Sequence, residues 1–134
     1  MSPFTLEIAT PERLLLREQV SEAQVPTRRG EIGVRPVHAP LIAGLGIGVL
    51  RYTIEGGRKE IAVSGGVVEV EPDRVRVLAD AAEPSEEIDI ARAQESLRRA
   101  QPRLAGPDLG LDVARALNSL RRAQARLKAA GQGT

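Results

Sequence analysis

The hydrophobic pattern of the 134-residue chain changes its period near Ala81. Before that point, segments such as residues 4–8 and 75–78 alternate between apolar and polar side chains, which is typical of half-buried β-strands. After it, apolar residues recur every three or four positions, as they do in amphipathic helices. We therefore predict an all-β sandwich of about ten short antiparallel strands over residues 1–84, followed by an antiparallel α-helical hairpin over residues 85–134.

Glycine pairs divide the β region into predicted strands. The pair at 56–57 predicts a hairpin turn between strands at 47–55 and 58–64. The pair at 65–66 predicts the end of the second of these strands. The apolar run at 41–45 predicts a buried segment.

The helical region contains two apolar stripes, separated by a glycine- and proline-rich break at residues 106–108. Ser85 is the predicted N-cap of the first helix, because acidic residues follow it where the helix dipole favours negative charge. Gly131 is expected to end the second helix. The stripe residues are Ile90, Ala93, Leu97, Ala100 and Leu104 in the first helix, and Ala116, Leu120, Ala123, Leu127 and Ala130 in the second.

Composition excludes several classes of function. Phe4 and Tyr52 are the sole aromatic residues, so the chain lacks the stacking platforms that bind single-stranded nucleic acid. His38 is the single histidine and there is no cysteine, so we expect no metal site. No apolar run approaches the roughly 20 residues that cross a bilayer, and the N-terminal residues do not resemble a signal peptide. We expect contact with a membrane only through a partner.

The charge is unevenly distributed along the chain. Residues 1–90 contain 10 basic and 15 acidic residues, whereas residues 91–134 contain 9 basic and 3 acidic ones. The net charges of −5 and +6 sum to the +1 of the whole chain. A basic C-terminal region suits an acidic partner, although it is also compatible with a solvated helical face.

The segment at residues 30–41 reads G-E-I-G-V-R-P-V-H-A-P-L, and its glycines and prolines predict a rigid, shaped loop. It resembles the G-E-[IL]-G-[IV]-x-P-x-H-A-P-L signature of the epsilon subunit family of F-type ATP synthase. Val37 departs from the glycine that many members have there. Four further segments resemble family motifs in the same order: IAVSGGVVEV at 61–70, VRVLADAAE at 75–83, IDIARA at 88–93 and RAQARL at 122–127.

The resemblance implies a non-catalytic subunit of the rotary central stalk that couples rotation to ATP synthesis. Its sandwich would contact the gamma subunit and the c-ring, with Glu31 near the c-ring and His38 near gamma. Its basic helices would reach the beta and alpha subunits and inhibit ATP hydrolysis. The expected location is the cytoplasmic face of the bacterial cell membrane, as a peripheral part of the complex.

The resemblance also implies a regulatory ATP site between the helices, although no cofactor would be required. Spacing alone offers an alternative, because Asp89 and Arg92 could form an ordinary surface ion pair across one helical turn. Planar guanidinium groups on the second helix, one turn apart, would suit phosphate oxygens. The site residues implied by the resemblance are Glu83, Ile88, Asp89, Arg92, Ala93, Arg122 and Arg126.

A free-standing ATP-sensing module remains an alternative to the stalk subunit. An enzyme is disfavoured, because the sequence contains no recognisable nucleophile–base pair or metal cluster. The glycines at residues 44–48 lack the spacing of a phosphate-binding loop and are interpreted as turn and strand-bend positions.

Overall fold

A computed structural model describes residues 3–36, 38–105 and 113–131 of the chain. Eight strands precede two helices in the described residues, and a short 3-10 turn, Ser85–Glu87, connects the two parts. Neither helix, within these residues, is long and apolar enough to cross a membrane. The strands are β1 Phe4–Ala9, β2 Leu14–Val20, β3 Glu22–Thr27, β4 Gly30–Val34, β5 Leu41–Gly44, β6 Ile47–Ile54, β7 Gly57–Val70 and β8 Arg74–Pro84; the helices are α1 Ile90–Ala105 and α2 Val113–Ala129.

The strands pair in the order β2-β1-β8-β7-β6-β3-β4, and β5 pairs with the second half of β7. All pairs are antiparallel except β1 with β8, which run parallel. Alternate side chains of these strands form one apolar core, so the predicted sandwich is confirmed. Its largest fully buried members are Leu6, Ile8, Leu45, Leu50 and Ile61, together with six valines: Val20, Val25, Val63, Val68, Val75 and Val77.

The described residues contain eight strands, against a prediction of about ten, and one reason is that the glycine pair at 65–66 does not end a strand. Strand β7 continues through it, pairing with β6 as far as Ser64 and with β5 from Val67 onward. Both glycines have positive φ, of +70° and +119°. The positive φ angles let one long strand pair with β6 in its first half and with β5 in its second half. The two segments that the pattern predicts as separate strands are therefore one strand.

Two further predictions about the β region are wrong in detail. The hairpin turn consists of Glu55 and Gly56, and Gly57 already pairs with Ile54. The run at 41–45 is not uniformly buried: Ile42 is 75% exposed and Leu41 46% exposed, while Leu45 is in the core. Leu41 and Ile42 lie on β5, an edge strand that pairs with β7, whereas Leu45 follows the end of that strand and enters the core.

Strand β2 was not predicted, because its polar residues Arg17, Glu18 and Gln19 interrupt the apolar alternation. It lies at the edge of the sheet, where polar side chains face solvent.

The first helix begins later than predicted. Ser85 starts the 3-10 turn, and the chain is extended again at Ile88, with φ −75° and ψ 127°. Helix α1 therefore begins only at Ile90, and the Asp89 carboxylate accepts a hydrogen bond of 3.0 Å from the backbone N–H of Arg92. Asp89 is thus the N-cap in place of Ser85.

Helix α2 packs against α1 and also against β6 and β7. The predicted stripe is buried at Ala116, Ala123 and Leu127. A second set of alanines, Ala125 and Ala129, is also buried, and Ala129 belongs to a separate apolar cluster with three residues outside the helices. Those three residues are Val49, Ala62 and Ile88. Small side chains on both helix faces let α2 lie close to the sheet.

Candidate functional site

A row of apolar side chains crosses the outer face of the sheet on four adjacent strands. Val67 of β7 pairs with Leu78 of β8, Leu78 with Ala9 of β1, and Ala9 with Leu14 of β2. Leu14 is 59% exposed, Leu78 44% and Val67 39%. With strands about 4.8 Å apart, the row is about 14 Å long. We call these four residues the apolar row. Because contiguous exposed apolar surface is where protein partners bind, the row is a candidate docking surface.

The next row on the same face is charged, with alternating sign. Glu69 pairs with Arg76, Arg76 with Glu7, and Glu7 with Arg17. The carboxylate of Glu7 lies 3.4 Å from Nε of Arg17 and 3.4 Å from Nε of Arg76. Ile42, opposite Glu69 on β5, adds apolar surface at the end of this charged row. The face therefore offers apolar contact beside a fixed pattern of charges, which suits a specific protein partner.

Glu31 lies on β4, the strand at the far edge of the sheet. Its side chain is half exposed, and Oε2 lies 3.7 Å from Nη1 of Arg51. Arg51 also donates a hydrogen bond of 3.2 Å from Nε to the Glu60 carboxylate. This ion pair links the loop-bearing edge strand to the centre of the sheet and holds Glu31 at the surface.

His38 connects the loop that follows β4 to the turn between β7 and β8. Its two ring nitrogens lie at hydrogen-bonding distance from the carbonyl oxygens of Arg35 and Glu71. The ring also meets Phe4 edge to face, with centroids 5.1 Å apart. His38 is half-buried and makes structural contacts that position the loop, and any contact with gamma stays a prediction.

The residues of the predicted ATP site fall into two groups. Glu83 of β8 and Arg126 of α2 form an ion pair, with Oε1 and Nε 2.8 Å apart. Nη2 of Arg126 donates a hydrogen bond of 3.3 Å to the other carboxylate oxygen of Glu83. Arg122, one turn earlier, lines the same small cavity as this pair. The pair fastens α2 to the sheet.

The second group lies at the start of α1. Asp89 caps the helix through the Arg92 backbone, so the predicted side-chain ion pair between these two residues is replaced by a capping bond. The Arg92 side chain is exposed, whereas Ala93 and Ile88 are buried. Ile88 contributes packing between the sheet and α2.

The cavity beside the Glu83–Arg126 pair has a volume of about 50 Å³. That space corresponds to one or two water molecules, whereas small-molecule sites typically measure about 300 to 1,000 Å³. In this conformation Glu83 and Arg126 bind each other and do not surround a space for a nucleotide. The regulatory ATP site stays a prediction.

We expect the Glu83–Arg126 pair to contribute about 1 kcal/mol to the docking of α2, because both side chains are partly screened by solvent. Glu83→Gln and Arg126→Gln should each raise amide hydrogen exchange in α2 about fivefold. The double variant should exchange no faster than either single variant. Arg99→Gln, which breaks an ion pair within α1, is the control and should leave α2 unchanged. Additive effects of the two single variants would show that the residues act independently.

The apolar row and the charged row were not predicted from the sequence. Val67, Leu78, Ala9 and Leu14 are separated along the chain, and only the strand register places them side by side. The one available indication was the parity of β8, since Leu78 is out of phase with the core residues Val75 and Val77 and therefore lies on the outward face.

Comparison with known proteins identifies the family to which this chain is similar. Residues 3–85 match the family described as ATP synthase, Delta/Epsilon chain, beta-sandwich domain. Residues 86–131 match ATP synthase, Delta/Epsilon chain, long alpha-helix domain. The ATP synthase epsilon chain of Solibacter usitatus is 56% identical over 104 residues, which are 78% of each chain. That of Carboxydothermus hydrogenoformans is 55% identical over 100 residues, 75% of each chain.

Solved structures agree. A chain in the cryo-EM structure of the Euglena gracilis mitochondrial ATP synthase, comprising OSCP, F1 and the c-ring, superposes with a TM-score of 0.82 at 26% identity. The match covers 97% of this chain and 82% of that one. The predicted family is therefore confirmed: the chain belongs to the epsilon-subunit family of the central stalk of F-type ATP synthase.

Proposed function

We propose that this chain is a non-catalytic stalk subunit whose sandwich docks to gamma through the apolar row. The observation that supports the proposal is the exposure of three large aliphatic side chains, Val67, Leu78 and Leu14, in one row of paired positions. Burying the remaining exposed part of each would contribute about 1 kcal/mol. The charged row beside them would fix the orientation of the partner, since charge complementarity sets register more than affinity.

We further propose that the edge carrying Glu31 faces the c-ring. Glu31 lies on β4, at the opposite edge of the sheet from β2, and Arg51 holds its side chain at the surface. The subunit would then link gamma to the ring and couple rotation to ATP synthesis. In a bacterial cell it would lie at the cytoplasmic face of the membrane, attached only through the complex.

Crosslinking tests this orientation. Glu31→Cys in the assembled complex should form a disulfide with a cysteine introduced in the adjacent loop of a c subunit. Lys59→Cys, at an exposed position of the β6–β7 hairpin, is the control and should give no such product. Crosslinking of Glu31→Cys to gamma alone would contradict the proposed orientation.

The helices are proposed to regulate the catalytic head. Region 91–134 carries a net charge of +6, which suits acidic surfaces on the beta and alpha subunits. The contact of α2 with the sheet relies on alanines and one partly exposed ion pair, so the docked state is weak enough to be released. Regulatory ATP would favour one state by binding it preferentially.

A truncation tests this regulatory role. The chain should be cut after Glu87, because β8 extends to Pro84 and a cut at Asp80 would remove part of its pairing with β7. We expect ATP hydrolysis by the assembled catalytic head to be several-fold faster with the truncated chain than with the full chain. Equal rates, with both chains bound in equal amounts, would exclude inhibition by the helices.

A further inference from the structure

A second groove lies between the β3–β4 turn and α2, beside the cavity of Glu83 and Arg126, with which it shares Ser64 and Arg122. Its volume is about 630 Å³, within the range of small-molecule sites. Backbone and side chains of the turn form one wall, and exposed residues of α2 form the other. The polar side chains that line it include Arg28, Ser64, Asp80, Asn118, Arg121 and Arg122.

Three guanidinium groups converge on this groove without a carboxylate partner. Among the described residues, none of Arg28, Arg121 and Arg122 forms a side-chain salt bridge or hydrogen bond. Most arginines elsewhere on the sheet are paired, as Arg17, Arg51 and others show. Among the described residues that line the groove, Asp80 is the one acidic side chain, so these residues carry a net charge of +2.

Local structure positions two of these charges. The Arg28 side chain lies against Gly44, where a Cβ would come within 2.9 Å of Arg28 Cδ. The Asp80 carboxylate lies over Gly65, with Oδ2 2.5 Å from the position of a Cβ. The glycines therefore leave room for these two polar side chains to lie close against the sheet, where both line the groove. Arg121 and Arg122 project from a helix, which limits their freedom.

We propose that this groove binds a polyphosphate anion. Guanidinium groups donate paired hydrogen bonds that match phosphate oxygens, and a chain of phosphates can meet several of them at once. A ligand with a single carboxylate would neutralise only part of the positive charge of the groove. The phosphates could belong to free polyphosphate or to a nucleoside triphosphate, and the groove supplies the same contacts to either.

Calorimetric titration of the full chain with inorganic tripolyphosphate tests the proposal. Arg28→Ala and Arg121→Ala should each weaken binding about tenfold, the effect of losing one charge-assisted hydrogen bond. Asp80→Asn should tighten binding several-fold, because it removes a negative charge that repels the anion and leaves the shape of the side chain nearly unchanged. Loss of folding cannot imitate that gain. The matched control is Arg58→Ala, which removes an exposed arginine of the β6–β7 hairpin outside the groove and should leave affinity unchanged.

Titration with ATP and with adenosine identifies the source of the phosphates. Arg28-dependent binding of ATP no tighter than that of tripolyphosphate indicates recognition of the phosphates alone. Tighter Arg28-dependent binding of ATP indicates a nucleotide ligand. The proposal is overturned if neither anion binds, if Arg58→Ala weakens binding as much as Arg28→Ala, or if ATP binding depends on Arg126 and not on Arg28. The truncation test measures hydrolysis, so either proposal can fail without the other.

Discussion

Replacing Gly66 with alanine should destabilise the sandwich by about 3 kcal/mol or more. Gly66 has a φ of +119°, and a Cβ there would lie 2.0 Å from the carbonyl oxygen of Leu78. That oxygen belongs to the backbone of the neighbouring strand, which pairs with β7 on both sides of this point. The overlap can be relieved only if the two central strands move apart. Urea unfolding should show a lower midpoint with an unchanged slope.

Gly33→Ala is the matched control for this experiment. Gly33 also lies in a strand, but no atom comes within 4 Å of the position of its Cβ, and its φ is not in the positive region. Its substitution should change the free energy of unfolding by less than about 1 kcal/mol. Similar losses for the two variants would mean that glycine entropy, and not the contact with Leu78, determines the effect.

Replacing Leu78 with arginine should weaken binding to gamma about 100-fold. Leu78 is at the centre of the apolar row, between Val67 and Ala9. The variant removes the aliphatic contact and places an unpaired charge in an interface from which water is excluded. A loss of about 2.7 kcal/mol corresponds to the expected change in affinity. Surface plasmon resonance with immobilised gamma would measure it.

Two controls separate loss of docking from loss of fold or a general effect of charge. Because the Leu78 side chain is 44% exposed, the variant should unfold at nearly the same urea concentration as the parent chain. Gln94→Arg adds the same charge on an exposed position of α1 and should bind gamma normally. If Leu78→Arg binds gamma as tightly as the parent, the apolar row is not the docking surface.

Much of the architecture follows from local sequence. The change from period two to a helical period separates the strands from the helices, because a half-buried strand and an amphipathic helix expose side chains at different intervals. The buried alternation of β1 and the stripe of Ala116, Ala123 and Leu127 follow the pattern directly. The errors occur where tertiary contacts override it. The glycine pair at 65–66 permits a strand to continue, and Ile88 is extended where a helix was expected.

The candidate site was only partly predictable for the same reason. Motif resemblance selected Glu83 and Arg126, which the structure brings together at 2.8 Å. It could not indicate that they would neutralise each other. Arg28 and Arg121 carry no motif, and the groove between them exists only because α2 lies beside the β3–β4 turn.

The sequence by itself determined the family, the β-then-helix order and the basic character of the C-terminal region. Local spacing and composition are sufficient for these properties. The tertiary structure alone decided which side chains face outward together. Leu14 and Val67 are far apart in the chain, yet the pairing of four strands aligns them in one exposed row. Strand register is set by the packing of the whole sheet, so no single segment of the sequence contains it.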